Sequence, residues 1–255
     1  MSVVVVAAVK GSGGVTAAAL ALGASLAATP DSAAVTLVEA DPSGGSLLGW
    51  CEQLTAGDGL YEAAFSRHSD GLASVAQPLG EMAVVVARGT PFRLIAALER
   101  PRRSWSNLLR SVDGTVIVDI GRLTPSSPTA PIVAAADVIV LVAAADPGSV
   151  AATMEWIGRG GRLTPDELGV SSERIRLLTT EVTPSGGPHG LAPRELAREL
   201  GPAYIGHLPH DPDGLRTLCR GASARHRSLR RSALIDATAG LAELVLGSTR
   251  TRVGA

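Results

Sequence analysis

Lysine is almost absent from this 255-residue chain: of its 23 basic residues, 22 are arginine, and the one lysine stands at position 10. Aromatic residues are nearly as scarce, seven in all, so a core has to be aliphatic, built from Val, Leu, Ile and Ala. The two cysteines, Cys51 and Cys219, show no CxxC spacing. That argues against a disulfide framework or a cysteine zinc site and fits a reducing cytoplasm. No sign of charge dominates. With 23 basic against 24 acidic residues there is no global basic field for nucleic acid, although a local patch stays open. No apolar stretch of about 20 residues is free of charge, so no membrane span is expected; the best candidate, 132–145, is short and contains Asp137. The N-terminus has no basic region and meets Lys10 and a glycine run too soon for a signal peptide.

What is present is enough for a buried core: 45% of residues are hydrophobic and 18% charged, which excludes disorder for most of the chain. Val3–Val9 is a continuous β-branched run, the pattern of a buried parallel strand. Gly11-Ser12-Gly13-Gly14 follows, then an Ala- and Leu-rich helix over Thr16–Ala28 and a second strand over Val35–Ala40. Strand, glycine turn, helix and strand make a βαβ unit. Further strands are predicted at Ala83–Ala87, Thr115–Ile120, Val138–Ala143, Ile175–Thr180 and Ala203–Leu208. Helices are predicted between them at Pro91–Arg100, Ser104–Ser111, Pro147–Gly158, Pro193–Leu200 and Asp213–Arg220, with a long one over Ala224–Leu246. The alternation predicts an α/β fold of three layers, a mostly parallel twisted sheet with helices on both faces. Residues 1–247 read as one domain, 124–131 and 183–193 as loops, and 248–255 as a frayed tail.

Ligands in open α/β sheets bind beyond the carboxyl ends of the strands, so the loop Lys10-Gly11-Ser12-Gly13-Gly14-Val15-Thr16 is the first candidate site. Its glycines let backbone N–H groups turn inward around an anion, and the following helix adds its dipole. A dinucleotide fingerprint, G-x-G-x-x-G, matches at Gly11 and Gly13 but has Thr16 in third place, with Glu39 available as the ribose acid. A phosphate loop, G-x-x-x-x-G-K-[ST], has Thr16 for magnesium but Val15 where the lysine belongs. Lysine alone surviving at position 10 points to a narrow phosphate loop, where a compact ammonium fits better than a planar guanidinium; chance is the other reading.

Lys10 followed by Gly-x-Gly-Gly-x-Thr resembles the deviant Walker A motif of the ParA/MinD family of ATPases. Three more segments fit that family's order. Glu39-Ala40-Asp41-Pro42-Ser43-Gly44 resembles its D-x-D-P-x-G switch segment, Val118-Asp119-Ile120-Gly121 its Walker B strand end, and Gly206-His207-Leu208-Pro209-His210-Asp211 its late loop against the base. The resemblance spans residues 3–246 and implies a P-loop NTPase-like fold, ATP and Mg2+ as cofactors and a nucleotide-sandwich homodimer. It gives Lys10 the role of reaching the partner's phosphates. Gly11, Ser12, Gly13, Gly14, Val15 and Thr16 would cradle the phosphates. Thr16 would hold magnesium and Asp119 would support it through water. Asp41 would position the attacking water, and Thr180, Pro209 and Asp211 would line the base site. Two departures stand out. Val15 removes the second lysine, and Thr180 takes the place of the family's adenine-reading Asn. A charge-assisted hydrogen bond contributes roughly 1.5–3 kcal/mol, so the resemblance is to a degenerate member with weak ATP binding and slow or absent hydrolysis. Some degenerate members resemble TadZ/CpaE, which place a pilus-assembly machine in the cell, although this sequence has no room before its first strand for their receiver-like domain.

The function expected is therefore that of a cytoplasmic positioning or assembly factor in partitioning or in pilus or secretion machinery, with a protein partner. A nucleotide-free scaffold and an NAD-dependent Rossmann enzyme remain as other readings. The cluster Arg220, Arg225, His226, Arg227, Arg230 and Arg231 suits DNA phosphates, a partner or an acidic lipid surface, or is a solvated helix face. The tail after Gly247 has too few large apolar residues for an amphipathic membrane anchor. His207 and His210 lack a third metal ligand, Cys219 reads as buried, Cys51 has no adjacent base, and Ser43 and Ser46 lack a nucleophile elbow.

Overall fold

The valine run near the N-terminus forms β1 (Ser2–Ala8), and its alternation sets the architecture. Val3, Val5 and Ala7 enter one apolar cluster and Val4, Val6 and Ala8 another, because successive side chains leave a strand on opposite faces. Both faces are covered, which is why the run is continuously apolar. The structure, a computed structural model, describes residues 1–11, 14–29, 33–67, 70–157, 170–181 and 190–253. The other strands are β2 (Val35–Glu39), β3 (Gln77–Leu79), β4 (Met82–Val85), β5 (Thr115–Arg122), β6 (Val138–Ala144), β7 (Ile175–Thr180) and β8 (Tyr204–Leu208). They form one eight-stranded sheet in the order β3-β4-β2-β5-β1-β6-β7-β8. Every neighbouring pair is parallel except β3 with β4.

Helix α1 (Val15–Ala27) lies between the sheet and α10 (Ala233–Val253). Its alanines permit that close approach, and a buried polar contact between the two helices is satisfied by Ser25 Oγ and Thr238 Oγ1 at 2.7 Å. The same face carries α9 (Pro212–Cys219) and the short α2 (Leu47–Trp50). The opposite face is covered by α3 (Leu60–Phe65), α4 (Pro91–Glu99), α5 (Trp105–Leu109) and α6 (Ala130–Ala135), with Val150 of α7 (Pro147–Ile157) and Leu196 of α8 (Pro193–Leu200). The three-layer α/β expectation holds. Among the described residues no helix is long and apolar enough to cross a membrane.

Four details differ from the sequence reading. The antiparallel edge strand β3 was not expected, since Gln-Pro-Leu is short and proline suits only an edge. The short helices α2, α3 and α6 were not expected either, and α6 begins inside the predicted loop 124–131. Residues 224–232 are a loop with a tight turn at Arg227–Leu229, and the last helix starts at Ala233. That helix continues to Val253, past the domain end placed at 247; of the predicted tail, 254–255 lie outside the described residues, as does most of the predicted loop 183–193. Cys51 and Cys219 are free, buried and in thiol-to-thiol contact between the start of the sheet-covering layer and the end of α9. The hydrogen bond that the Cys51 thiol donates to Cys219, together with burial, pushes the Cys51 thiol far up from its ordinary range.

Candidate nucleotide site

β1 lies at the centre of the sheet with β5 on one side and β6 on the other, so the loop after it opens at a topological switch point. Gly14 takes φ +81°, a left-handed backbone that glycine adopts without strain. It caps α1 with no side-chain bond, and the first turn of α1 contains no acid. The leading N–H groups of a 13-residue helix therefore face the loop without a capping side chain. Ser12 and Gly13 lie outside the described residues, and Gly11 and Lys10 are exposed. Val15 is buried, 3% exposed, within the apolar cluster around α1. Its side chain cannot contribute a polar contact to a ligand.

Thr16, on the first turn, brings its hydroxyl beside the Asp119 carboxylate. Asp119 sits on β5 with its side chain on the α1 face, in step with Ile117. It is 1% exposed. Oδ1 accepts the Gly121 N–H at 2.9 Å, whereas Oδ2 is buried and has no hydrogen-bond partner among the described residues. Burial pushes the Asp119 pKa up to about 6; the Thr16 hydroxyl and the Gly121 N–H oppose that, and the charges of Glu39 and Asp41 reinforce it. An orphaned carboxylate oxygen next to a threonine hydroxyl is the chemistry of a hard-cation site, so Thr16 and Asp119 fit Mg2+. Asp41 completes the group. Its Oδ1 accepts the Ser43 N–H at 2.8 Å, and its carboxylate lies over Gly121, where a Cβ would collide with it. Gly121 also has φ +61°.

Glu39 takes a different role from the ribose acid considered above. Its Oε1 accepts the N–H groups of Ser46 (2.5 Å) and Leu47 (2.9 Å), and its Oε2 accepts that of Ala87 (3.0 Å). The carboxylate is 1% exposed and spent on three backbone donors. Burial raises its pKa, against the pull of those bonds. Glu39 fastens the segment after Asp41 to the residues after β4 and is not free to serve as a ribose acid.

Beyond Gly14 a cleft of about 470 Å3 opens, within the usual range for small-molecule sites. Thr180, Pro209 and Asp211 line it, together with Glu181, Leu208 and Leu215, which sequence reasoning did not single out. Thr180 Cγ2 comes close to Gly14. Asp211 caps α9: Oδ1 accepts the Gly214 N–H at 2.8 Å and Oδ2 the Ser232 hydroxyl at 2.6 Å. Burial would raise its pKa, but these bonds prevail and hold it below the usual carboxylate range. Asp211 thus shapes the wall by joining α9 to the start of α10. Lys10 turns toward the start of α7, its Nζ beside Gly148 and near Asp146. Asp146 caps that helix through the Ser149 N–H at 2.9 Å. The sequence predicted a helix from Pro147 but not the nearness of its start to Lys10. The arginine cluster 220–231 is exposed but lies in the loop before α10, so the helix-face reading is corrected. His207 and His210 are not part of any group of metal-ligating side chains among the described residues.

No protein-family model matches the sequence, and no curated protein does. Solved structures do. A ParA family ATPase from Chlorobium tepidum TLS superposes with a TM-score of 0.69 at 17% identity, over 95% of this chain and 97% of that one. The septum site-determining protein MinD from Pyrococcus horikoshii OT3, in complex with Mg-ADP, gives 0.71 at 14% identity, over 100% and 98%. A plasmid partition protein from Borrelia burgdorferi B31, bound to AMPPNP, gives 0.68 at 14% identity, over 96% and 98%. With full-length coverage of both partners in each comparison, the chain has the fold of the ParA and MinD ATPases.

Proposed function

We propose that this chain is a ParA/MinD-like, P-loop nucleotide-binding protein that acts as a positioning or assembly factor, binding ATP with Mg2+ weakly and hydrolysing it slowly or not at all. The observation that carries this reading is the uncapped N-terminus of α1 beside the orphaned Oδ2 of Asp119. The first suits phosphate oxygens and the second a hard cation. Bound magnesium would supply charge neutralisation for the phosphates, with Thr16 and Asp119 as its protein contacts. Gly11, Gly14 and the α1 start would hold phosphates, and the cleft beside Thr180 and Pro209 would take the base. Asp41, set over Gly121, is placed to orient a water. Weakness follows from Val15, which is apolar and buried where a phosphate loop has its lysine. A homodimer, a cytoplasmic location and a protein partner in a partitioning, pilus or secretion system belong to the same reading. The exposed arginines of 220–231 offer a surface for DNA phosphates or for that partner.

A nucleotide-free scaffold is the second reading, favoured by the acidity of the site: Asp41, Asp119, Asp146, Glu181 and Asp211 surround it. Lys10 separates the two. Light scattering coupled to size exclusion should show dimerisation that needs MgATP and is lost in Lys10→Ala, with the fold of the monomer intact. Dimerisation that ignores both ATP and Lys10 would leave the scaffold.

A further inference from the structure

A polyphosphate brings several negative charges, and the residues around this cleft bring more. Five carboxylates border the site, those of Asp41, Asp119, Asp146, Glu181 and Asp211. Position 15, where a phosphate loop has its lysine, is a buried valine. Lys10 is drawn toward Asp146 at the start of α7. A further cation beside the loop would offset part of that charge, and β5 supplies one. This strand runs past Asp119 and Gly121 to Arg122, which stands opposite Ala8 at the end of β1. The Leu123 N–H bonds to the Ala8 carbonyl at 2.8 Å and holds that register. Arg122 Nε donates to the carbonyl of Val9 at 3.4 Å, the residue before Lys10. The guanidinium thus flanks the glycine loop from the β5 side, while Lys10 flanks it from the β6 side. It is exposed, and among the described residues no carboxylate forms an ion pair with it.

We infer that Arg122 is the phosphate-binding cation of this site, standing in from the end of β5 for the lysine that Val15 displaced. The inference rests on the nucleotide reading above and deepens it. A guanidinium meets phosphate oxygens with paired donors, and the Val9 bond ties the Nε side of this exposed guanidinium to the residue before Lys10. Arg122 is a binding residue for phosphate and contributes nothing to recognition of the base.

The test compares nucleotides that differ only in phosphate count, by calorimetry on the full chain with Mg2+. Arg122→Ala should weaken ATP by about 10- to 100-fold and leave AMP within about twofold of the parent. Arg122→Lys should recover most of the ATP affinity, since the charge returns without the fork. Circular dichroism should show all three proteins equally folded, as the side chain is on the surface. Equal ATP affinity in parent and Arg122→Ala would overturn the assignment and leave the nucleotide site standing. Equal weakening of ATP and AMP would overturn it too, by showing a structural role. A parent that binds neither nucleotide would overturn the nucleotide reading itself, and this inference with it.

Discussion

Asp119→Asn should stabilise the metal-free protein. The carboxylate is buried with one oxygen unpartnered, and its pKa is pushed from 3.8 up to about 6. A folded-state pKa above the unfolded value means that the native state holds the proton more tightly. The ionised group then costs stability in full above pH 6, and the cost vanishes below about pH 4. Two pKa units correspond to about 3 kcal/mol. That is an upper bound, because the asparagine amide brings two N–H donors that need acceptors. A gain of about 1–3 kcal/mol at pH 8 corresponds to roughly 2–10 °C for a chain of this size. Thermal melts in EDTA at pH 8 and pH 4 measure it. The variant should melt higher at pH 8, and the difference should close at pH 4. A variant that is no more stable at pH 8, or whose advantage persists at pH 4, would refute the picture of an uncompensated buried charge. Adding Mg2+ and ATP should reverse the order, since only the parent has the anionic oxygen for the cation.

Gly121→Ala should displace Asp41, because the new Cβ meets its carboxylate and the backbone is left-handed there. A loss of about 1–3 kcal/mol in denaturant unfolding, together with faster hydrogen exchange at Ser43, would be the sign. Val15→Lys should have two opposed effects: a Tm lowered by the lost burial of about 1–2 kcal/mol and tighter MgATP binding as the ammonium extends over the loop. Calorimetry beside thermal melting separates them, and an unchanged ATP affinity would show either that the loop has another shape or that an arginine already fills the gap.

The sheet was legible in the sequence because it is parallel and covered on both faces, so its strands are unbroken apolar runs such as 3–8 and 138–143. The edge strand Gln77–Leu79 was not, since three residues with a proline leave no period to read. The last helix was begun too early, at Ala224 rather than Ala233. Its start is set by Ser232, which accepts the Ile235 N–H and donates to Asp211 twenty-one residues away, a contact no local pattern reveals. The glycine loop, Thr16 and Asp119 were legible because each lies at a strand end or helix start of its own segment. The role of Glu39 was not legible because its partners, Ser46, Leu47 and Ala87, meet it only once β2 and β4 are paired. Arg122 and Asp146 were invisible for the same reason: their significance is their distance to a loop far away in sequence.

The central claim is that the loop after β1 takes phosphates with the help of a cation held by Thr16 and Asp119. Isothermal calorimetry of ATP into the parent, with and without Mg2+, tests it most directly. The account predicts saturable binding of one ATP per chain that needs Mg2+ and is lost in Asp119→Asn. No heat at several millimolar ATP, or saturable binding of NAD in its place, would contradict it.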